Sequence, residues 1–474
     1  MRVIVKIGVI AGGICLAAVA CVAGLAFAML RHFDPSPPTA TFPKAADQLE
    51  AQRQDLSYFR ELMALDRSFQ PTARAQAENR ISMLEDLKSP LDRPHFRVAL
   101  METLALADNG HTHLDSGDGA QTRKLPVRVA AFSDGLYVMR TSDQASELLG
   151  GRLVAIDGKP IEVVIDRLAR LRGGTTGWRH LHAASYLVDQ DILFGTDIVT
   201  DPVHSTWTVV TPRGVTTALL LEAETPPTNE PSVLGTRWLS SESSSDSGHG
   251  WEVERPEATL PLTLREFAKP FRRAPLANSC ATLIQLKSNG DVGNERIADF
   301  ISATRTVLRS AKPCAVVLDL RYDGGGDYTN TVGFARQLPD LIAPGGHVYL
   351  LTGPSTFSAG ITTAAFLKQA GGDRVTILGE PVGDRLTFFS EGNRGCLPNY
   401  HLCVSYERGK HDYTHSCDDW DVCFWLNKLY PVRVASLAPD ETIAMSFAQW
   451  RQGHDPVFER AVALIESNSK AIRP

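Results

Sequence analysis

The segment from Ala281 to Leu378 alternates between short apolar stretches and stretches with helical periodicity, and this alternation constrains the fold more than any other feature of the chain. The stretches read as strands are apolar and rich in β-branched residues, whereas those between them repeat apolar residues every three or four positions. In chain order the elements are the strand Thr282 to Leu286, the helix marked by Ile297, Phe300, Ile301, Thr304 and Leu308, the strand Cys314 to Leu320, the helix Thr329 to Leu338, the strand Val348 to Thr352, the helix Ile361 to Gln369 and the strand Val375 to Leu378. This alternation is typical of βαβ units with buried strands, so we predict an α/β fold for residues 276–470.

The rest of the chain divides by composition and periodicity. Its 474 residues suffice for two or three domains. We predict a Pro-rich spacer at 32–44, a small helical region at 45–124, a β-rich module at 125–224 and a linker or flexible region at 225–275. One helix, Ile161 to Leu171, interrupts the strands of the module, which is either PDZ-like or a plain β-rich scaffold. The linker contains a serine-rich run ending at Ser247 that has too few apolar residues to bury.

The N-terminal segment, residues 1–31, predicts export. Arg2 and Lys6 precede an uncharged, mainly apolar run from Ile7 to Leu30, which is long enough to cross a bilayer core of about 30 Å. A membrane anchor with a cytoplasmic N-terminus is one interpretation. A cleavable signal peptide is the other, because residues 26–28 have the small-x-small form of a cleavage site. A lipid-modified Cys21 fits less well, since the residues before it match that signal poorly.

Charge and cysteine content narrow the function classes. The chain has 48 Lys and Arg against 54 Asp and Glu residues, a formal net charge of −6, so we expect no nucleic-acid binding. Four cysteines between residues 395 and 425 either form two disulfides of undefined pairing or, with nearby histidines, hold zinc: Cys396, Cys403, Cys417 and Cys423, with His401, His411 and His415. Disulfides suit an exported chain better, so we predict neither a metal nor a cofactor. We expect Cys280 and Cys314 to be buried thiols.

Two predicted strands end in unusual loops. Residues 319–326 read DLRYDGGG, and residues 352–360 read TGPSTFSAG directly before a helix. A serine at such a turn is held exposed, with the next backbone N–H and the helix dipole directed at the same point. Ser358 is therefore a candidate nucleophile for acyl transfer, with N–H groups of Ala359 and of the glycine loop, Gly324 or Gly325, as oxyanion donors. The alternative is a plain helix cap, a role for which Ser355 competes.

These segments resemble the tail-specific, or C-terminal-processing, serine peptidases and their tricorn-like branch. Residues 319–326 resemble the family's D-L-R-x-N-x-G-G element with Asp323 in place of the usual asparagine, residues 357–360 its nucleophile segment, and residues 378–383 the strand and loop that follow. Residues 437–440 and 453–456 are similar to its closing P-D and G-x-D-P elements. The resemblance implies a crotonase/ClpP-like stack of βαβ units and a serine peptidase acting on a protein or peptide.

The resemblance also implies a general base. The tail-specific branch has a lysine after its G-E-x-T-x-G segment, but residues 383–385 read GDR, so a Ser-Lys dyad is not expected. Residues 108–113, DNGHTH, resemble the D-G-H-T element of the tricorn-like branch, which makes His111 the candidate base and His113 the reserve. The family's third residue, a glutamate, has no counterpart near Val432. Glu391, Asp384 and Asp108 are candidates for that role.

Two other functions remain open at this point. The same fold without catalysis can keep a ligand groove, as in retinoid-binding relatives, so a binding protein is the main alternative. A serine esterase is the second, because a serine and a histidine do not distinguish an ester from an amide.

Overall fold

The computed structural model describes residues 24, 27–29, 31–117, 122–225, 238–241 and 250–471. The predicted apolar run from Ile7 to Leu30 lies outside these residues, apart from 24 and 27–29. Within the described part of the chain, no helix combines the length and the apolar character that crossing a membrane requires.

The predicted helical region consists of three helices followed by a strand. They are α1 (Gln48–Leu65), α2 (Pro71–Glu85), α3 (Arg93–Ala105) and β1 (His113–Ser116). Aspartates begin two of the helices: Asp47 accepts a hydrogen bond from the Glu50 amide, and Asp92 accepts one from the His95 amide. The loop between α3 and β1 contains His111.

The β-rich module is a seven-stranded sheet whose paired strands are all antiparallel. Its elements are β2 (Val127–Phe132), β3 (Gly135–Thr141), β4 (Arg152–Ile156), β5 (Lys159–Pro160), α4 (Ile161–Leu168), α5 (Thr176–Tyr186), α6 (Gln190–Gly195), β6 (His204–Val210), β7 (Thr216–Glu222) and β8 (Glu252–Val253). The prediction of a single helix was wrong, because α5 and α6 follow α4. Thr175 and Asp189 cap these two helices. Polar residues interrupt the apolar pattern of α5, and α6 has only six residues. The PDZ-like assignment stays a prediction.

The helical region and the β-rich module share one hydrophobic core. Phe59 and Leu104 of the helices, Trp207 of the sheet and Tyr406 from near the C-terminus belong to the same buried cluster, and each is at most 1% exposed. Burial of this contiguous apolar surface fixes the two regions against each other. The loop that carries His111 is therefore held by packing on both sides.

The C-terminal region contains the predicted parallel sheet. Its elements are β9 (Phe271–Pro275), β10 (Thr282–Leu286), α7 (Ile297–Ala311), β11 (Ala315–Asp319), α8 (Thr329–Leu341), β12 (His347–Thr352), α9 (Ala359–Gly371), β13 (Val375–Gly379), β14 (Thr387–Ser390), β15 (Asn393–Cys396), β16 (Leu402–Tyr406), β17 (Gly409–Asp412), α10 (Leu426–Leu429), β18 (Glu441–Thr442), α11 (Phe447–Arg451) and α12 (Pro456–Ala471). The sheet order is β18-β13-β12-β11-β10-β9, and only β9 runs antiparallel to its neighbour.

Both faces of this sheet are covered, which explains its apolar strands. All five residues of β11 are buried. Val316 and Leu318 pack on one side with helices α7, α8 and α9, whereas Ala315 and Val317 pack on the other side with α12. The predicted α/β fold built from βαβ units is confirmed.

The predicted linker at 225–275 contributes to the fold in its described parts. Phe271–Pro275 is the edge strand β9, paired with β10. Trp238 and Leu239 are 3% and 7% exposed, and they pack with Trp450 of α11. The end of this segment therefore belongs to the sheet that was predicted to begin at residue 276.

Two further strand pairings lie outside the parallel sheet. β1 pairs antiparallel with β16, so that His113 lies opposite Ser405. β14 pairs with β17 in a separate two-stranded sheet, in which Phe388 lies opposite His411. These pairings bring the His111 loop to the chain that follows β13.

Six cysteines form three disulfides. Cys396 pairs with Cys403, and Cys417 pairs with Cys423, so the four clustered cysteines bind one another. The expectation of buried thiols at Cys280 and Cys314 was wrong, because these two residues form the third disulfide. Cys280 is exposed and lies two residues before β10, and Cys314 directly precedes the neighbouring parallel strand β11. The apolar residues beside these cysteines suggested buried thiols. Nothing in the sequence indicated the pairing, because β10 and β11 are neighbours in space and not along the chain.

Candidate active site

Ser358 lies in a strained turn between β12 and α9. Its φ is 52° and its ψ is −124°, a backbone conformation that residues other than glycine rarely adopt and that costs on the order of 1–3 kcal/mol. The side chain is half-buried and makes no capping hydrogen bond to the helix. Ser355, the competing cap residue, is 6% exposed, and its hydroxyl has no partner among the described residues. The geometry therefore does not support a plain cap at either serine.

The glycine loop that follows β11 packs directly against Ser358. A side chain on Gly325, whose φ is +111°, would place its Cβ 2.5 Å from the Ser358 Cβ and 3.1 Å from the Ala359 nitrogen. Only glycine fits this position. The Gly325 amide donates to the Asp323 carboxylate at 3.0 Å, so it is not free to bind an oxyanion. In the described part of the chain, the amides of Ala359 and Gly324 have no hydrogen-bond partner, and Gly324 faces open space.

Asp323 joins the glycine loop to the Ser358 turn. Its backbone carbonyl accepts the Phe357 amide at 2.9 Å, and its Oδ1 holds Gly325. The side chain is completely buried, and its Oδ2 has no partner among the described residues. Burial raises the pKa of the Asp323 carboxyl well above its usual range, whereas the Gly325 amide lowers it less. The surroundings of Asp323 therefore favour the neutral carboxyl over the carboxylate.

Two of the sequence motifs, at residues 319–321 and 453–456, meet in a buried ion-pair cluster beneath these loops. The Arg321 guanidinium contacts both oxygens of Asp319 at 2.9 Å. It also contacts the Asp455 carboxylate through Nη1 at 2.9 Å and Nη2 at 2.8 Å. The D-L-R element and the G-x-D-P element thus bind each other, and their function here is to hold the base of the glycine loop against α12.

His111 lies between two aromatic rings, one of which belongs to the residue before Ser358. Its ring stacks on Phe357 with centroids 4.3 Å apart and on Phe388 with centroids 5.3 Å apart. Both ring nitrogens are buried, and neither has a hydrogen-bond partner among the described residues. Burial, followed by the charges of His411, His113 and Arg172, lowers the pKa of His111 well below its usual range. The imidazole is therefore neutral at pH 7, the form that can accept a proton.

Of the three candidate carboxylates, Asp384 is the one beside His111. Its Oδ2 lies 3.9 Å from the His111 Nδ1, and its side chain is almost completely buried. Burial raises the pKa of Asp384 to about 6, although a hydrogen bond from the Arg385 amide lowers it. The other two candidates lie elsewhere: Asp108 pairs with Arg179 and Arg385, and the Glu391 Oε1 lies 3.6 Å from the His411 Nε2.

The reserve histidine, His113, has other partners. Its Nε2 lies 2.9 Å from the Asp115 carboxylate, and its Nδ1 contacts the His111 carbonyl oxygen. Both ring nitrogens are therefore engaged away from Ser358.

A second histidine network reaches the Ser358 turn, and it was not anticipated from the sequence. The His411 Nδ1 lies 3.1 Å from the Tyr413 hydroxyl, which lies 2.6 Å from the Thr362 hydroxyl. Thr362 in turn donates to the Ser358 carbonyl at 3.3 Å. His411 also stacks on the face of Phe388, with centroids 4.9 Å apart. In the sequence His411 was visible only as a possible zinc ligand, and the pattern gave no sign of the Phe388 contact.

The described residues contain no group of three or more His, Cys, Asp or Glu side chains arranged to hold a metal ion. That the chain works without a cofactor stays a prediction.

The comparisons with known proteins bear on the fold. No protein-family model matches the chain, and no curated protein matches it. Among solved structures, mature CPAF complexed with lactacystin shares 14% sequence identity, with a TM-score of 0.57, over 89% of this chain and 99% of that chain. The crystal structure of mature CPAF shares 13% identity, with a TM-score of 0.58, over 89% of this chain and 98% of that chain.

A photosystem II D1 C-terminal processing protease shares 13% identity over 83% of this chain and 93% of its own, with a TM-score of 0.37. A TM-score this low does not show a shared fold, so the fold assignment depends on the two CPAF structures. At 14% identity the similarity establishes the fold alone. The chain has the fold of mature CPAF.

Proposed function

We propose that the chain is an exported serine peptidase that cleaves peptide bonds through an acyl-enzyme on Ser358. The observation that carries the proposal is the strained Ser358 backbone at the start of α9, next to the unpaired amide of Ala359. The motif resemblance and the fold shared with CPAF support peptides as the substrate class.

His111 is the general base of this proposal. It takes the Ser358 proton as the hydroxyl oxygen attacks the carbonyl carbon, and it later returns a proton to the leaving amine. The neutral imidazole required for the first step is favoured by its burial between Phe357 and Phe388. Asp384 orients the imidazole through Nδ1, after closure of the 3.9 Å separation.

The amides of Ala359 and Gly324 stabilise the oxyanion that forms during attack. Each such donor contributes on the order of 3 kcal/mol to transition-state stabilisation. Gly325 contributes differently, because its amide is engaged by Asp323 and its missing side chain leaves room for Ser358. A water molecule then attacks the acyl-enzyme, with His111 again accepting the proton.

Export is supported by the three disulfides, since such bonds persist in oxidising compartments. In this proposal the N-terminal segment either anchors the chain in a membrane or is cleaved as a signal peptide. Fractionation of a C-terminal reporter fusion tests the proposal. A reporter found in the cytoplasm would contradict export.

Turnover measurements test the proposed activity. We expect the purified protein to hydrolyse members of a peptide library and the Ser358→Ala protein to hydrolyse none, while Ser355→Ala remains active as the matched control. Hydrolysis of simple esters without any peptide cleavage would favour an esterase. No turnover of either class, in protein that is folded by circular dichroism, would favour the binding protein.

A further inference from the structure

A cavity lies between α3, β1 and α5, and Ser358 is not part of its lining. Its volume is about 270 Å³, and three cationic side chains line it together with two carboxylates and two histidines. These residues are Arg97, Lys124, Arg172, Asp115, Asp189, His113 and His182. Before the histidines are counted, the described residues of the lining therefore have one positive charge in excess.

Asp189 is engaged by two of the cations. Its Oδ2 accepts from Arg97 at 3.0 Å and from Lys124 at 2.8 Å. Its Oδ1 accepts the Ile192 amide at 3.1 Å. The neighbouring cations lower the pKa of Asp189 below its usual range, so it stays ionised. Both of its oxygens are therefore engaged by groups other than Arg172.

Arg172 is the one of these three cations that forms no ion pair with a carboxylate among the described residues. It is 8% exposed, and the hydrogen bond that its guanidinium makes goes from Nη2 to the Gly110 carbonyl at 3.1 Å. Its Nε is buried and has no partner in the described part of the chain. The other cavity carboxylate, Asp115, pairs with the His113 Nε2 at 2.9 Å. Against the effect of burial, His113 and, to a smaller extent, Arg172 lower the pKa of Asp115, so this carboxylate acts on Arg172 without a hydrogen bond to it. The N–H groups of Arg172 that have no partner in the described part of the chain remain available to a further anion.

Two further residues of the lining each carry a buried side-chain nitrogen without a partner among the described residues. They are Arg97, a residue that is 8% exposed, through Nε, and His182 through Nε2, which donates in the tautomer protonated there. Guanidinium groups with free N–H atoms suit planar or tetrahedral oxyanions, which they bind through several hydrogen bonds at once.

We propose that this cavity binds a small oxyanion, the chemistry shared by a free carboxylate and inorganic phosphate, through Arg172, Arg97 and His182. The volume admits an ion of a few heavy atoms with its water and is below that of a drug-sized ligand site. The binding does not depend on the proposed peptidase activity.

The site is connected to the loop that carries His111. Arg172 holds the Gly110 carbonyl, and the next residue, Gly173, packs so closely that a Cβ there would lie 2.6 Å from the Asn109 nitrogen. An anion that fixes the Arg172 guanidinium therefore also fixes the backbone on which His111 is mounted.

Calorimetry and thermal unfolding of the Ser358→Ala protein test the site, since this background separates binding from hydrolysis. The probes are inorganic phosphate and acetate, with sodium chloride at the same ionic strength as the control for screening. We expect saturable binding of at least one probe and a rise in the unfolding temperature with its concentration. Phosphate alone or acetate alone identifies the source of the oxyanion. No saturable binding of either would overturn the proposal.

Variants locate the binding. We expect Arg172→Gln to weaken it on the order of tenfold or more, because a charged hydrogen bond is lost. The matched control is Arg213→Gln, at an exposed turn, which should leave the affinity unchanged. Unchanged affinity in folded Arg172→Gln would also overturn the proposal. If that variant does not fold, His182→Leu decides: weaker binding supports the site, and unchanged binding rejects it.

Discussion

The Oδ2 atom of Asp384 lies 3.9 Å from the Nδ1 atom of His111, and neither atom has a hydrogen-bond partner among the described residues. A hydrogen bond between them would need an approach of about 1 Å. Catalytic hydrogen bonds are often long before substrate binds and shorten in the complex. The pair therefore accounts for the orientation of His111 better than Glu391 or Asp108, which have other partners.

The first prediction concerns this pair. Asp384→Asn removes the negative charge that stabilises the protonated imidazole, and we expect kcat to fall roughly 10²- to 10⁴-fold. Glu391→Gln is the comparison variant and should have a much smaller effect. Steady-state kinetics on a cleaved peptide measure both. Loss of activity in Glu391→Gln with full activity in Asp384→Asn would reassign the third residue.

The pH profile gives an independent readout of the same pair. Because burial raises the pKa of Asp384 to about 6, the carboxylate is lost as the pH falls through that value. Burial lowers the pKa of His111, which favours its neutral form in the same range. We expect kcat/KM of the native protein to decrease below pH 6 and the acid limb of Asp384→Asn to move to lower pH. An identical limb in both proteins would contradict this assignment.

The second prediction concerns Asp323, whose folded pKa is raised. Above the unfolded pKa of about 4 the unfolded chain releases this proton while the folded chain retains it, so folding stability falls by about 1.4 kcal/mol per pH unit until the folded pKa is reached. Asp323→Asn keeps an acceptor for Gly325 and removes this penalty. We expect it to be active and more stable at pH 7, with the difference shrinking toward pH 4. Urea unfolding at both pH values measures the effect, and a less stable variant at pH 7 would contradict a neutral Asp323.

The parallel sheet could be predicted because the local and the tertiary signals agree there. Strands such as β11 are buried on both faces, so their sequences are continuously apolar, and their helices show a clear period. The Ser358 turn was predictable for the same reason, since its neighbours in sequence are also its neighbours in space. The glycine at position 325 is required by its contact with Ser358.

The remainder of the site depends on contacts between residues that are far apart in the chain. The sequence left three carboxylates as partners of His111, and packing separates them. The Phe388 ring, which stacks on both His111 and His411, is positioned by the pairing of β14 with β17. The disulfide between Cys280 and Cys314 likewise depends on β10 lying beside β11.

The third prediction concerns the ion pairs at the base of the glycine loop. Arg321→Met leaves Asp319 and Asp455 buried without their cation, and we expect a loss of about 3–5 kcal/mol in the free energy of unfolding. The matched control is Arg460→Met, because Arg460 pairs with Glu441 at the surface, with side chains 43% and 39% exposed. That change should cost about 0–1 kcal/mol. Equal losses of unfolding free energy in the two variants, measured by urea unfolding, would show that the Arg321 ion pairs are not essential to the stability of the fold.

The fourth prediction concerns the disulfides. In protein lacking residues 1–31, thiol titration under denaturing conditions should detect six cysteines after reduction and none before. The Cys280–Cys314 pair closes a separation of 34 residues, and its replacement by serines should cost about 3–4 kcal/mol of stability. Because it joins the amino ends of β10 and β11, away from the loops at their carboxyl ends, activity should persist. Two free thiols before reduction would contradict this pairing.

The central claim is that Ser358 is a nucleophile activated by His111. Fluorophosphonate labelling followed by mass spectrometry of the modified peptide tests it directly. We predict one adduct per chain, on Ser358, with no adduct in Ser358→Ala and labelling slowed by orders of magnitude in His111→Ala. Equal labelling of Ser358→Ala, or an adduct mapped to Ser355 in the native protein, would contradict the account.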